Sequence, residues 1–168
     1  MAPSLRFCAS CGGPLSRRRL AGRMRRVCSR CGRVAYENAK PCAGALVVRN
    51  GKVLLVKRGI APYRGWWDIP GGYLEADEHP EAGARRELLE ETGLRVRLRG
   101  LLGVYVDRRI QPHSLNFYYL AEAVAGRERA SDDAVGLGWF GPRELPTRIA
   151  YPGHARVVLA DWRRRRRI

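Results

Sequence analysis

The chain has 168 residues, enough for one apolar core and a small accessory module. Its 45% apolar and 29% charged content are those of a soluble globular protein, and no run approaches the roughly 18 apolar residues of a membrane span. Lys plus Arg number 32 against 16 Asp plus Glu, a formal charge of +16, and only Lys40, Lys52 and Lys57 are lysine. One reading of that excess is an electropositive surface gathering anionic substrates or nucleic acid. The other, favoured for the bulk of it, is arginine-heavy codon usage decorating solvated faces. Met1 to Phe7 lacks the apolar stretch of a secretory signal, so the expected address is the cytoplasm.

In chain order, residues 1 to 38 are rich in Arg and Gly, show little apolar periodicity, and need a staple to fold. They carry Cys8-x-x-Cys11 and Cys28-x-x-Cys31, sixteen residues apart, each pair followed by a glycine, Gly12 or Gly32. Glycine tolerates the positive φ of a metal knuckle, and four thiolates at this spacing suit a closed tetrahedral site for structural Zn²⁺. Two redox C-x-x-C motifs or loose thiols are the disfavoured alternatives. Cys42 lies outside the knuckles and reads as a small buried residue at a strand start.

The character changes between Asn38 and Pro41. Ala45–Val48 and Val53–Val56 flank Asn50-Gly51, the pattern of a tight hairpin. Residues 59 to 72 form a loop dense in Pro, Gly and Trp. Pro80 suits the first turn of a helix over 81 to 92, which Gly93 ends. Strands are expected over Val96–Leu98, Leu101–Asp107, Leu115–Val124 and Leu137–Phe140, a helical turn over Pro142–Leu145, and a helix over His154–Trp162. The run Arg163 to Arg167 reads as a solvated tail. This order predicts an α/β sandwich with helices on both sides of a mixed sheet.

Within the central helix, Glu87, Glu90 and Glu91 stand at offsets of three and four and share one face. Such carboxylates repel unless a divalent cation sits among them, and hard oxygen ligands favour Mg²⁺ or Mn²⁺. Taken alone, the three glutamates read more readily as an acidic face in water.

The surrounding residues change that balance. Gly72-x5-Glu78-x7-Arg86-Glu87-Leu88-x-Glu90-Glu91-x-Gly93-Leu94 resembles the Nudix box of the Nudix hydrolase family at every specified position. Trp67-Asp68-Ile69-Pro70-Gly71-Gly72 resembles its usual lead-in. The resemblance implies a zinc ribbon over 1–38, a Nudix hydrolase domain of α/β/α type over 39–168, and the following roles. Glu87, Glu90 and Glu91 are ligands of Mg²⁺ (or Mn²⁺), and Glu87 also orients or deprotonates the attacking water. Gly71 and Gly72 let the backbone approach, with the Gly71 carbonyl as a further ligand. Arg86 fixes carboxylate geometry, Glu78 joins that network or the metal cluster, and Leu88 and Leu94 pack the helix on the sheet. The implied reaction is in-line attack of water on a nucleoside diphosphate linked to a group X.

A zinc ribbon directly before such a domain resembles the architectural group that includes NADH pyrophosphatases and plant FAD and ADP-ribose pyrophosphatases. The NADH enzymes carry a Ser-Gln-Pro-Trp-Pro-Phe-Pro type array after the box. Val104 to Pro112 lacks it, which favours ADP-ribose, FAD or a related dinucleotide. Gly136 stands where a glutamate is often found, which leaves Asp133 as the acidic candidate beyond the box. Arg58, Arg64, Arg108 and Arg109 are candidates for phosphate. Trp66, Trp67, Tyr105, Phe117, Tyr118 and Tyr119 divide between base stacking and core. The alternatives are a nucleotide-pool sanitising pyrophosphatase, and a nucleic-acid-binding or ligand-sensing regulator, which the intact Glu87, Glu90 and Glu91 disfavour. The expected partners are a nucleotide-type small molecule and a second copy in a homodimer.

Overall fold

The computed structural model describes residues 5–110 and 112–165. Part of the amino-terminal stretch read against a secretory signal, Gln111, and Arg166 and Arg167 of the basic run lie outside the described residues. The chain divides into two compact units, meeting between Ala39 and Lys40.

The first unit is a three-stranded antiparallel sheet of β1 (Leu15–Leu20), β2 (Arg23–Cys28) and β3 (Val34–Ala35), in that order. Ala21 and Gly22, at φ 47° and 75°, form the tight turn between β1 and β2.

 Among the described residues of this unit, only Cys8, Val27 and Cys28 are buried apolar side chains. Its strands escape a periodicity reading because β1 is exposed along most of its length and so has no apolar alternation.

The second unit contains β4 (Lys40–Arg49), β5 (Lys52–Arg58), β6 (Trp67–Asp68), β7 (Gly71–Tyr73), α1 (Pro80–Thr92), β8 (Leu94–Asp107), β9 (Ser114–Gly126), β10 (Ala134–Phe140) and α2 (Ala155–Arg165). The sheet runs β10-β5-β4-β9-β8, and the β4–β9 pair is parallel while the others are antiparallel. Alternate residues of β4 and β5 point to opposite faces. Ala43, Ala45, Val47 and Leu54 pack with Ala84 and Leu88 of α1. Leu46, Val53 and Leu55 pack with Val158, Leu159 and Trp162 of α2. The helices therefore cover the two faces of a mixed sheet, the α/β sandwich expected from the order of elements.

The β4–β5 hairpin turns on Asn50 and Gly51, at φ 49° and 76°. These strands pair only at Val48–Val53 and Arg49–Lys52. Farther along, β7 pairs with Cys42 to Gly44 of β4 and β6 with Val56 and Lys57 of β5. The segment expected to be a plain loop thus contributes two short strands, and it carries Gly71 and Gly72 to the sheet.

Two further expectations change. Val96–Leu98 and Leu101–Asp107 belong to one strand, because register shifts between Leu98 and Gly103 absorb the Arg99-Gly100 interruption. Pro142–Leu145 holds a single turn, closed by the Glu144 N–H donating to the Gly141 carbonyl at 3.0 Å, and no helix. Among the described residues no helix is long and apolar enough to cross a membrane.

Candidate active site

Helix α1 is defined at both ends. His79 caps its start, with Nδ1 accepting from the Glu81 N–H at 3.3 Å, and Pro80 follows. Gly93, at φ 72°, ends it with its N–H donating to the Leu89 carbonyl. Leu88 and Leu94 are buried in the cluster beneath, which fixes the opposite, acidic side of the helix toward a cleft of about 550 Å³.

Arg86 organises that side. Its Nε and Nη2 donate to the two oxygens of Glu78 at 2.8 Å each, and Nη2 also donates to the Tyr73 carbonyl at 3.0 Å. Nη1 donates to Glu87 Oε1 at 2.8 Å and Glu90 Oε2 at 2.9 Å. All five guanidinium N–H groups are thereby used. Arg86 has no donor left over, and its bonds hold three carboxylates in place. Glu78 likewise has both oxygens engaged, and the Arg86 guanidinium holds its carboxyl below the usual range.

The other three carboxylates differ from Glu78. Glu87 and Glu90 each give one oxygen to Arg86, and Glu91 Oε2 accepts the Gly71 N–H at 3.0 Å. The second oxygen of each has no hydrogen-bond donor among the described residues. Burial pushes Glu91 up to about 8, with the nearby charges of Asp68 and Glu87 adding to it, and burial raises Glu87 as well. A Cβ on Gly72 would lie 2.5 Å from Glu87 Oε1, so the glycine makes room for that carboxylate against the backbone. Three free oxygens on one face form a donor set that fits a hard divalent cation.

Asp68, which the sequence reading did not single out, also lines the cleft. Burial pushes it up to about 6, against the opposing charge of Arg58, whose Nη1 lies 3.3 Å from its Oδ2. No helical spacing links it to the glutamates; the β5–β6 pairing of Val56 with Asp68 brings it there. Arg58 lines the cleft but is occupied, donating to the Pro62 carbonyl at 2.9 Å and lying over the Tyr151 ring at 5.1 Å. Arg64 donates to the Gly59 carbonyl at 2.6 Å and, like Arg108 and Arg109, is not among the lining residues. Asp133 and Asp132 are lining residues.

Another part of the wall is a buried chain. Tyr118 Oη lies 3.1 Å from His154 Nε2, and His154 Nδ1 lies 3.0 Å from Asp107 Oδ2. Burial lowers the proton affinity of His154, with Asp107 opposing. A neutral imidazole donating from Nδ1 to Asp107 and accepting the Tyr118 hydroxyl at Nε2 satisfies all three groups. Sequence spacing could not have found this chain, since its members come from β8, β9 and the start of α2.

In the first unit, the Sγ atoms of Cys8, Cys11, Cys28 and Cys31 all lie within 4.8 Å of one another. Gly12 and Gly32 take φ of 68° and 71° after the two pairs. Backbone N–H groups of Ser10 and Cys11 hold the Cys8 thiol down to about 6, and that of Cys31 lowers Cys28. The cluster fits a structural zinc site. Cys42 is the third residue of β4, partly buried, and burial pushes it up to about 12.

Residues 39–161 match the NUDIX domain and residues 6–37 the Nudix N-terminal module, a zinc ribbon. An ADP-ribose pyrophosphatase of Methanocaldococcus jannaschii is 33% identical over 125 residues, covering 73% of each chain. A NAD-capped RNA hydrolase NudC of Chromobacterium violaceum is 33% identical over 144 residues, covering 85% of this chain and 52% of that protein. The crystal structure of a NUDIX hydrolase from Nitrosomonas europaea superposes with a TM-score of 0.81 at 34% identity, covering 95% of this chain and 89% of that one.

Proposed function

The chain belongs to the Nudix hydrolase family, whose members hydrolyse phosphorus anhydrides, and we propose that it is a Mg²⁺-dependent pyrophosphohydrolase of a nucleoside diphosphate linked to X, with ADP-ribose, FAD or a related dinucleotide as substrate. The observation that carries this reading is the set of free oxygens on Glu87, Glu90 and Glu91, held at a cleft wall by Arg86 and the Gly71 N–H. Those three residues, with the Gly71 carbonyl, would hold Mg²⁺ (or Mn²⁺). When bound, the cation neutralises diphosphate charge and makes phosphorus more electrophilic.

The side chains supply the rest. Glu87, whose proton affinity is raised by burial, orients the attacking water and takes its proton at the free Oε2. The water oxygen bonds to phosphorus as the bridging P–O bond breaks, and the bond pair leaves with the departing phosphate. A nucleoside monophosphate and a phosphorylated X result. Arg86 and Glu78 position the carboxylates without touching substrate. The four cysteines hold structural Zn²⁺, and such a reduced thiolate cluster suits the cytoplasm.

The relatives supporting this substrate class include the ADP-ribose pyrophosphatase. A putative 8-oxo-dGTP diphosphatase of Bacillus subtilis, 35% identical over 108 residues, supports the sanitising alternative. Incubation with ADP-ribose, FAD and 8-oxo-dGTP in Mg²⁺, with products identified by mass spectrometry, separates the two. Glu90→Gln is expected to cut turnover by about a thousandfold while the melting temperature stays put, because Glu90 is on the exposed side of α1. Near-normal turnover in that variant would remove Glu90 from the metal site.

A further inference from the structure

The first unit has a charge pattern that hydrolysis in the cleft does not use. Residues 1–39 contain nine arginines, no lysine and one glutamate. Six of those arginines lie on the β1–β2 hairpin, where Arg17 is opposite Arg26 and Arg18 is opposite Arg25. Directly opposed residues of an antiparallel pair share a face, and like charges so placed destabilise it. On one face the clash is relieved, since Arg26 pairs with Glu37 at 3.3 Å and donates to the Leu5 carbonyl at 3.0 Å.

The other face has no such relief. Arg18 and Arg23 are exposed and have no side-chain partner among the described residues, and no carboxylate approaches Arg25 there. Arg25 instead lies over the Tyr36 ring, 4.9 Å from its centroid, and Tyr36 is 61% exposed. Arginine-heavy codon usage accounts for how many arginines the chain has. It does not account for three on one face beside an open aromatic ring with no acidic residue among them.

We propose that this face of the ribbon hairpin, formed by Arg18, Arg23, Arg25 and Tyr36, binds single-stranded nucleic acid. The guanidinium groups hold successive phosphates, and Tyr36 stacks on a base. An exposed ring can stack only on an unpaired base, which favours a single strand over a duplex. An acidic peptide would use the charges and leave Tyr36 without a role. The inference stands apart from the hydrolytic reading, because it uses no residue of the cleft.

The test uses the full zinc-loaded chain and a fluorescent single-stranded RNA of about 20 nucleotides, with binding followed by anisotropy from about 50 to about 200 mM salt. Affinity is expected to fall linearly with salt on logarithmic axes. The double variant Arg18→Ser, Arg23→Ser should bind about tenfold more weakly and lower the salt slope by about one unit. Tyr36→Ala should weaken binding about fivefold and leave the slope nearly unchanged. Zinc content and hydrolysis of a small nucleotide should match the parent in each variant. The proposal is overturned if the parent fails to bind at the lowest salt, or if the loss appears instead in Arg163→Ser, Arg164→Ser. It is also overturned if Tyr36→Ala binds normally and an acidic peptide displaces the RNA as well as unlabelled RNA does.

Discussion

Residues 5–39 bury Cys8, Val27 and Cys28, two of them thiols of one four-cysteine cluster, whereas residues 40–165 bury two apolar clusters on opposite faces of a mixed sheet. A unit as small as the first removes too little apolar surface from water to offset its conformational entropy, and its four-cysteine cluster fits the zinc ion that would staple it. The second has enough core to fold by burial and can leave one oxygen of each of Glu87, Glu90 and Glu91 free at its cleft. One unit commits its thiols to a single cluster, and the other keeps three carboxylate oxygens open to its cleft.

Four experiments break or sharpen that contrast. The largest effect is expected from Cys28→Ser, which should abolish zinc binding by elemental analysis and leave residues 1–39 open to protease, with the melting of the larger unit unchanged. Zinc retained at full stoichiometry would show that the cluster is not what orders this unit. Leu88→Ala is the mirror experiment. Leu88 is fully buried on the inner face of α1, so its loss should cost the larger unit about 2 to 5 kcal/mol in denaturant unfolding while zinc content stays the same.

A smaller change tests positioning within the cleft. Arg86→Lys keeps the charge but loses the fork that reaches Glu78, Glu87 and Glu90 together. It should lower kcat by about ten- to a hundredfold with little change in KM. A rise in KM alone would mean that Arg86 binds substrate.

The smallest effect concerns His154. Its folded proton affinity is lowered by burial from an ordinary value of 6.5, so the unfolded chain binds the proton more readily. Stability should therefore fall as pH drops below 6.5, by at most about 1.4 kcal/mol per pH unit from this group. Urea midpoints measured from about pH 5 to about pH 7 should show a shallower acid slope in His154→Gln. An unchanged slope would assign the acid loss to other groups.

The spacing of Glu87, Glu90 and Glu91 was readable because a helix converts offsets of three and four into one face without help from the rest of the fold. Pro80 and Gly93 marked the ends of that helix for equally local reasons. The interruption at Arg99-Gly100 misled because a bulge and a turn use the same residues, and only the partner strand β9 distinguishes them. Arg58 and Arg64 were chosen by residue type, yet type does not reveal that Arg58 is bound to the Pro62 carbonyl and Asp68, or that Arg64 donates to the Gly59 carbonyl and does not line the cleft.

The sequence by itself determined the helix that carries the carboxylates, the hairpin at Asn50-Gly51, the paired cysteines and the order of the two units, because each depends on contacts between near neighbours in the chain. Tertiary structure alone decided that Asp68 joins the glutamates, that Glu78 is consumed by Arg86, and that Tyr118, His154 and Asp107 form one buried chain. Those groups lie far apart in sequence. Strand pairing and burial bring them within hydrogen-bond distance, and no local pattern records that they meet.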